Sequence, residues 1–379
     1  MADIIEIDRL YSIGVVVTSL EEATLKYAEI FGIDAWDVRE FGADRLTESR
    51  SYGRPTTPFF RTATGTTTPP AGGKGVEPLG NPTVPVTFEL IQPLRGESPF
   101  QEFRFVRRQG VSHLTVAVRS ADAFETLRTA MAGKGILLAA SMTVDGALER
   151  HFFDTRRALG GYLVEVQVPL QPSAQTTVEV TERWHHGDRY RRPGGVGPIV
   201  VGGVNHVGVV VDDLMTSLKQ YHEILGVPAW NIRNWRTEPG LLEEPYYRGE
   251  QVNHEYFTGR SPVVSDFGFE IIQPTLGPSH YNREFRDRWG PGLHHMLLTV
   301  GADVEDWDRT RHWLASINVP LAMGADLNEG AGHFCYYDTA DALGGFILEA
   351  ALIRRMPDPS SPPTPPEYVV DFSTEKLLS

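Results

Sequence analysis

The sequence predicts an α+β protein made of four βαβββ modules in two tandem domains. Three observations predict it. The chain has 379 residues, more than one hydrophobic core usually supports. It says the same thing twice: "IGVVVTSLEEATLKYAEIFGIDAW" (13–36) aligns without a gap on "VGVVVDDLMTSLKQYHEILGVPAW" (207–230). Within each half, a strand-then-helix-then-strands order occurs two times over.

The elements follow in order. "VNHVGVVV" reads as a strand running into a helix that Asp212 or Asp213 caps and Gly226 stops, with Leu214, Leu218, Tyr221 and Leu225 on one face. Short strands end in "FGFEIIQP", matched by "FELIQP" (88–93) in the first half. "HHMLLTV" (294–300), matched by "SHLTVAV" (112–118), opens the next module. Its helix carries Trp307, Thr310, Leu314 and Ile317 inward, and "HFCYYDT" and "GGFILEAAL" close it, as "DTRRALGGYLVEV" (154–166) closes the first half. Domains are expected at 1–170 and 204–353, joined by a Pro-, Gly- and charge-rich linker at 171–203 and followed by a Pro-rich tail at 354–379. Residues 62–85 enlarge a loop in the first half only.

Composition narrows the partners. With 35 basic and 49 acidic residues the net charge is −14, and no basic patch is present for nucleic acid or an anionic membrane surface. The only cysteine, Cys335, excludes internal disulfides and a cysteine zinc site. The start lacks the positive charge of a secretory signal, so a cytoplasmic location is expected. The expected partner is a small-molecule substrate; a homodimer is left open.

In the second half His206, Glu270, His295 and Glu349 sit where strand interiors should be apolar. An unpaired carboxylate on a covered sheet face costs several kcal/mol. One divalent metal ion, Zn, Co, Ni, Mn or Fe, satisfies two carboxylates and two neutral imidazoles with no charge left over. Taken singly, each residue suits a solvated sheet face better; matched positions in a duplicated unit argue for the ion.

These motifs, "H-x-G-x-x-V", "E-[LI]-I-Q-P", "G-[LV]-[SH]-H" and "Y-x-D-T…L-G-G-x-x-x-E", resemble the vicinal oxygen chelate superfamily, which includes glyoxalase I, extradiol dioxygenases and bleomycin-resistance proteins. The nearest local resemblance is to methylmalonyl-CoA epimerase-like members, through 91–118 and 272–300. It implies half-barrel sheets and a metal held by His206, Glu270, His295 and Glu349. It also implies His295 as the ligand, with strand alternation turning His294 to the opposite face. In the first half Glu89, His113 and Glu165 are kept, but Ser12 replaces His206 and Phe152 replaces Tyr336, so that site is degenerate. Whether modules pair within a half or are exchanged between halves stays open.

The implied chemistry is proton transfer through an enolate-type intermediate, as in an isomerase, epimerase or lyase. Candidate bases or acids are Glu270, Glu349, His254, His333 and Tyr336, and Tyr247 and Arg248 are candidate substrate-binding groups. Two alternatives are a ring-cleaving Fe(II) extradiol dioxygenase using His206, His295 and Glu349, and a non-catalytic small-molecule binder. Glu270 speaks against the dioxygenase as a surplus ligand, and the four matched ligands speak against the binder.

Overall fold

The computed structural model describes residues 3–69, 79, 81–170, 178–187, 197–301, 304–354 and 367–373. It contains two curled sheets of 11 strands, one in each half. In the first, the strands Thr87–Arg95, Ser12–Val16, Gly110–Val118 and Leu163–Pro169 lie side by side in that order. In the second, Gly268–Leu276, His206–Val210, Gly292–Gly301 and Ile347–Ile353 repeat the arrangement. The outer pairs are parallel and the middle pair antiparallel in both sheets. The modules therefore pair within each half, without exchange.

Local chemistry sets the helices. Leu20–Phe31 begins at Ser19, whose side chain accepts from Glu22 N–H, and ends at Gly32 in the left-handed conformation. Leu214–Leu225 does the same between Asp213 and Gly226, burying Leu214, Leu218, Tyr221 and Leu225 as its spacing predicts. Val304–Ser316 buries Trp307 and Leu314.

The apolar backs of the two sheets and these helices form one core that runs through both halves, with Val15 and Tyr27 from one side and Val209 and Tyr221 from the other. Two matched hydrogen bonds cross it: Tyr27 O–H donates to the Leu343 carbonyl at 2.8 Å, and Tyr221 O–H to the Leu159 carbonyl at 2.9 Å. Packing back to back leaves each concave face open to its own use.

Three segments differ from the sequence reading. Within the stretch read as linker, Glu182–His185 forms an edge strand on Ala35–Val38. Within the tail, Tyr368–Asp371 forms one on Ala229–Ile232, the matching place in the second sheet. Covering an exposed edge removes a template for aggregation, which explains why both halves spend a following segment on it. The strand Phe59–Thr66 also continues into the segment read as loop, most of whose remainder lies outside the described residues.

Candidate metal centre

The four central strands of the second sheet each deliver one polar side chain to its concave face. Ligand atoms of His206, Glu270, His295 and Glu349 all lie within 4.8 Å of one another. His206 Nε2 stands 3.2 Å from His295 Nε2, 3.4 Å from Glu270 Oε2 and 2.9 Å from Glu349 Oε2. His295 Nε2 is 3.4 and 3.3 Å from the same two oxygens. Strand register makes this possible: Gly208 lies opposite both Glu270 and His295. A Cβ on Gly208 would collide with the His295 ring, so the glycine of "H-x-G" is the cradle for that imidazole.

All four residues are buried. Burial raises the Glu270 carboxyl, but His206, His295 and Arg260 overcome it and hold it well below the usual range. Glu349 is likewise lowered against burial by His206 and His295. His295 is raised against burial by the two carboxylates. Such a cluster needs a shared positive charge, and the buried Glu349 Oε2 faces both imidazole Nε2 atoms, at 2.9 and 3.3 Å. A divalent cation fits this donor set, two imidazoles and two carboxylates.

The first half shows what replaces a metal. Glu89, His113 and Glu165 converge in the same way, and between the carboxylates lies Arg150. Its Nη1 and Nη2 donate to the two Glu89 oxygens at 2.8 and 2.7 Å, and its Nε to Glu165 Oε1 at 2.5 Å. Burial pushes the Glu89 carboxyl up, but Arg150 and His113 hold it down at about 2. Ser12 joins this network through a neighbour, its hydroxyl donating to Thr115 Oγ1 at 2.9 Å, which in turn donates to Glu165 Oε2 at 2.5 Å. The first-half site is thus filled by an internal cation.

A second contrast concerns aromatics. Phe60, Phe100 and Phe152 cluster beside His113. At matching places beside His295 stand Tyr256, Tyr281 and Tyr336, with the Tyr281 and Tyr336 hydroxyls 2.6 Å apart. Burial raises all three phenols well above their usual value, so they remain neutral. A cavity of about 410 Å³ opens over Glu270 and Glu349, walled by these tyrosines, Trp235 and Arg260.

His333 also lines this cavity; its Nδ1 is 2.6 Å from Asp326 Oδ1. His254 is buried and neither of its ring nitrogens is hydrogen-bonded; it is not among the residues lining the cavity. Tyr247 O–H donates to Glu284 at 2.7 Å, and Arg248 pairs with Glu284 and Asp338, both at 2.6 Å, away from the cavity wall.

His294 departs from the sequence expectation. Between Gly208 and Val209 the pairing slips past His294, a bulge that cancels the alternation. Both imidazoles accordingly contact Tyr281 and Tyr336. Sequence reading missed Arg150, Arg260, Tyr256 and Tyr281. The Phe-to-Tyr differences were legible in the aligned repeats, "SPFQEF" against "SHYNREF"; the two arginines approach the site from strands that only pairing brings near.

No family model matches the sequence, and no curated protein does. Solved structures do match: a triple mutant of 4-hydroxymandelate synthase from Streptomyces coelicolor aligns with a TM-score of 0.53 at 12% identity, covering 93% of this chain and 95% of that one. The fold is the tandem vicinal oxygen chelate fold. The 2,3-dioxygenase LapB from a Pseudomonas species aligns with a TM-score of 0.42 at 13% identity, covering 94% and 96%. Among the described residues no helix is long and apolar enough to cross a membrane.

Proposed function

We propose that the second half is the catalytic half of an Fe(II)-dependent, oxygen-using enzyme acting on a small or medium organic molecule with two neighbouring oxygens, such as a catechol opened by extradiol cleavage. One observation carries this reading. Arg260 Nη1, 2.7 Å from His206 Nδ1, also reaches Glu270 Oε1 at 3.3 Å and so sets a cation beside that carboxylate, whereas Glu349 Oε2 faces the Nε2 atoms of His206 and His295 at 2.9 and 3.3 Å. His206, His295 and Glu349 are thereby reserved as two histidines and one carboxylate, the set suited to non-haem iron and oxygen chemistry. Glu270, which the sequence alone sets against a dioxygenase, becomes a nearby proton acceptor instead of a fourth ligand.

When bound, the ion supplies Lewis acidity and, as Fe(II), electrons for dioxygen. The chain's own residues do the rest. Tyr336 and Tyr281 offer neutral hydroxyls to a substrate oxygen, and Trp235 forms a flat wall for an aromatic ring. The Arg260 side chain, 36% exposed, lines the cavity, where an anionic substrate group would meet its charge. Whole-chain likeness in fold to a 4-hydroxymandelate synthase is compatible with this reading as an analogy of architecture.

A second reading, metal-assisted proton transfer of the kind the methylmalonyl-CoA epimerase-like motifs suggest, is favoured by the 3.4 Å approach of Glu270 Oε2 to both imidazole nitrogens. Metal analysis of protein purified without added metal, followed by oxygen-electrode assays with a catechol panel, separates them. Iron and substrate-dependent oxygen uptake support the first reading; Zn, Co, Ni or Mn without uptake overturns it in favour of the second. Glu349→Gln should weaken metal binding more than Glu270→Gln if three residues hold the ion, and equally if four do. Absence of any metal leaves a non-catalytic binder.

A further inference from the structure

A row of three imidazoles leads away from the candidate metal centre. His295 Nδ1 is 3.0 Å from His294 Nδ1, and His294 Nε2 is 2.8 Å from His280 Nδ1. His280 and His294 both border a cavity of about 250 Å³ between the halves, lined also by Arg107, Glu284 and Asp338. We propose that His294 and His280 are positioning residues, which hold His295 in the tautomer whose Nε2 lone pair faces the ion. This inference rests on the metal reading of the second half.

The hydrogen-bond sense is fixed once that reading is taken. A neutral His295 that offers Nε2 to a metal carries its proton on Nδ1. Only the Nδ1 lone pair of His294 can accept it, which leaves the His294 proton on Nε2, pointed at His280 Nδ1. Each ring therefore selects the tautomer of the next, and the row has one consistent assignment.

The first half supplies an internal control. There the same bulge between Gly14 and Val15 brings Ser112 beside His113, with Ser112 Oγ 3.1 Å from His113 Nδ1. The serine hydroxyl fills the place of the His294 imidazole, and Pro99 that of His280. Two changes built the longer row. Serine gave way to histidine at 294, and one extra residue entered between Ser279 and Gly292 relative to Ser98 and Gly110. That insertion winds His280–Arg286 as a π-helix where Pro99–Arg107 is an α-helix. Such one-residue bulges are frequent at functional sites. Here it seats Tyr281 beside both His294 and Tyr336.

The test compares hydrogen bonding with bulk. His294→Phe keeps the size of the ring and removes the acceptor; His294→Ser leaves a void and keeps an acceptor, as Ser112 does. Metal-free full-length protein is titrated with Co(II), reading affinity by chelator competition and ligand geometry by the visible absorption of the bound ion, with thermal melting as the folding control. The Phe variant should bind about 10–100-fold more weakly with an altered spectrum, the usual effect of losing an outer partner. The Ser variant should lose less than tenfold. His280→Phe should fall between wild type and His294→Phe. If the Phe variant matches wild type, or the Ser variant falls as far as the Phe variant, the positioning role is overturned. If wild type itself binds no Co(II), the metal reading fails, and this inference fails with it.

Discussion

Arg150 grips Glu89 through both carboxylate oxygens, at 2.8 and 2.7 Å, in the place where the second half gathers its candidate ligands. The side chain is only 7% exposed, against 36% for Arg260 in the second half. One arginine is walled in between two carboxylates, while the other lines an open cavity and donates to Asn205 Oδ1 at 2.8 Å.

This relationship sets the metal stoichiometry. Replacing Ser12 by His completes the residue pattern, but the site stays filled by Arg150, so Ser12→His should bind no more metal than wild type. Removing both obstacles, as Ser12→His with Arg150→Phe, should add a second ion per chain. Elemental analysis after dialysis checks it; a second ion in the single variant would mean that Arg150 yields to metal.

The same residue should matter for stability. Arg150→Met strands two buried carboxylates and should cost about 3–5 kcal/mol at neutral pH by urea unfolding. The pH dependence follows from sign. Glu89 is held at about 2 in the folded state, so wild type binds fewer protons folded than unfolded between roughly pH 4.5 and 2. Stability from this group is full above that window and lost as pH falls through it. The variant, lacking the depressed carboxyls, should show a flatter acid limb; identical slopes would contradict the assignment.

Gly208 offers a sharper probe of the centre. Gly208→Ala places a methyl group in collision with the His295 ring, so the imidazole must rotate out. Loss of metal binding with a small change in melting temperature is expected. Isothermal titration with Co(II) decides, and retained affinity would show that another group takes the place of His295.

His254 tests the cost of a buried, unpaired imidazole. Burial lowers its pKa to about 4, and His280 behaves alike. The unfolded chain therefore takes up protons between about pH 6.5 and 4 that the folded one refuses. Each such histidine should remove about 1.4 kcal/mol per pH unit as pH falls through that window. His254→Leu should melt higher than wild type at pH 5 and reduce the slope; equal melting curves at pH 5 would mean that the ring is solvated.

The sequence by itself determined the duplication, the four modules, the helix caps and the four polar residues of the second half. These are local facts: periodicity, capping and a carboxylate among apolar neighbours are all written in adjacent residues. It also marked the first-half site as damaged, through Ser12. Tertiary structure alone decided that modules pair within halves, because a duplicated sequence satisfies either pairing equally. It alone placed Arg150 between Glu89 and Glu165, Arg260 beside Glu270, and His294 beside His295. The last depended on a bulge, a slip of one residue in the pairing of two strands, and such a slip reverses which face a side chain takes without leaving a mark in either strand.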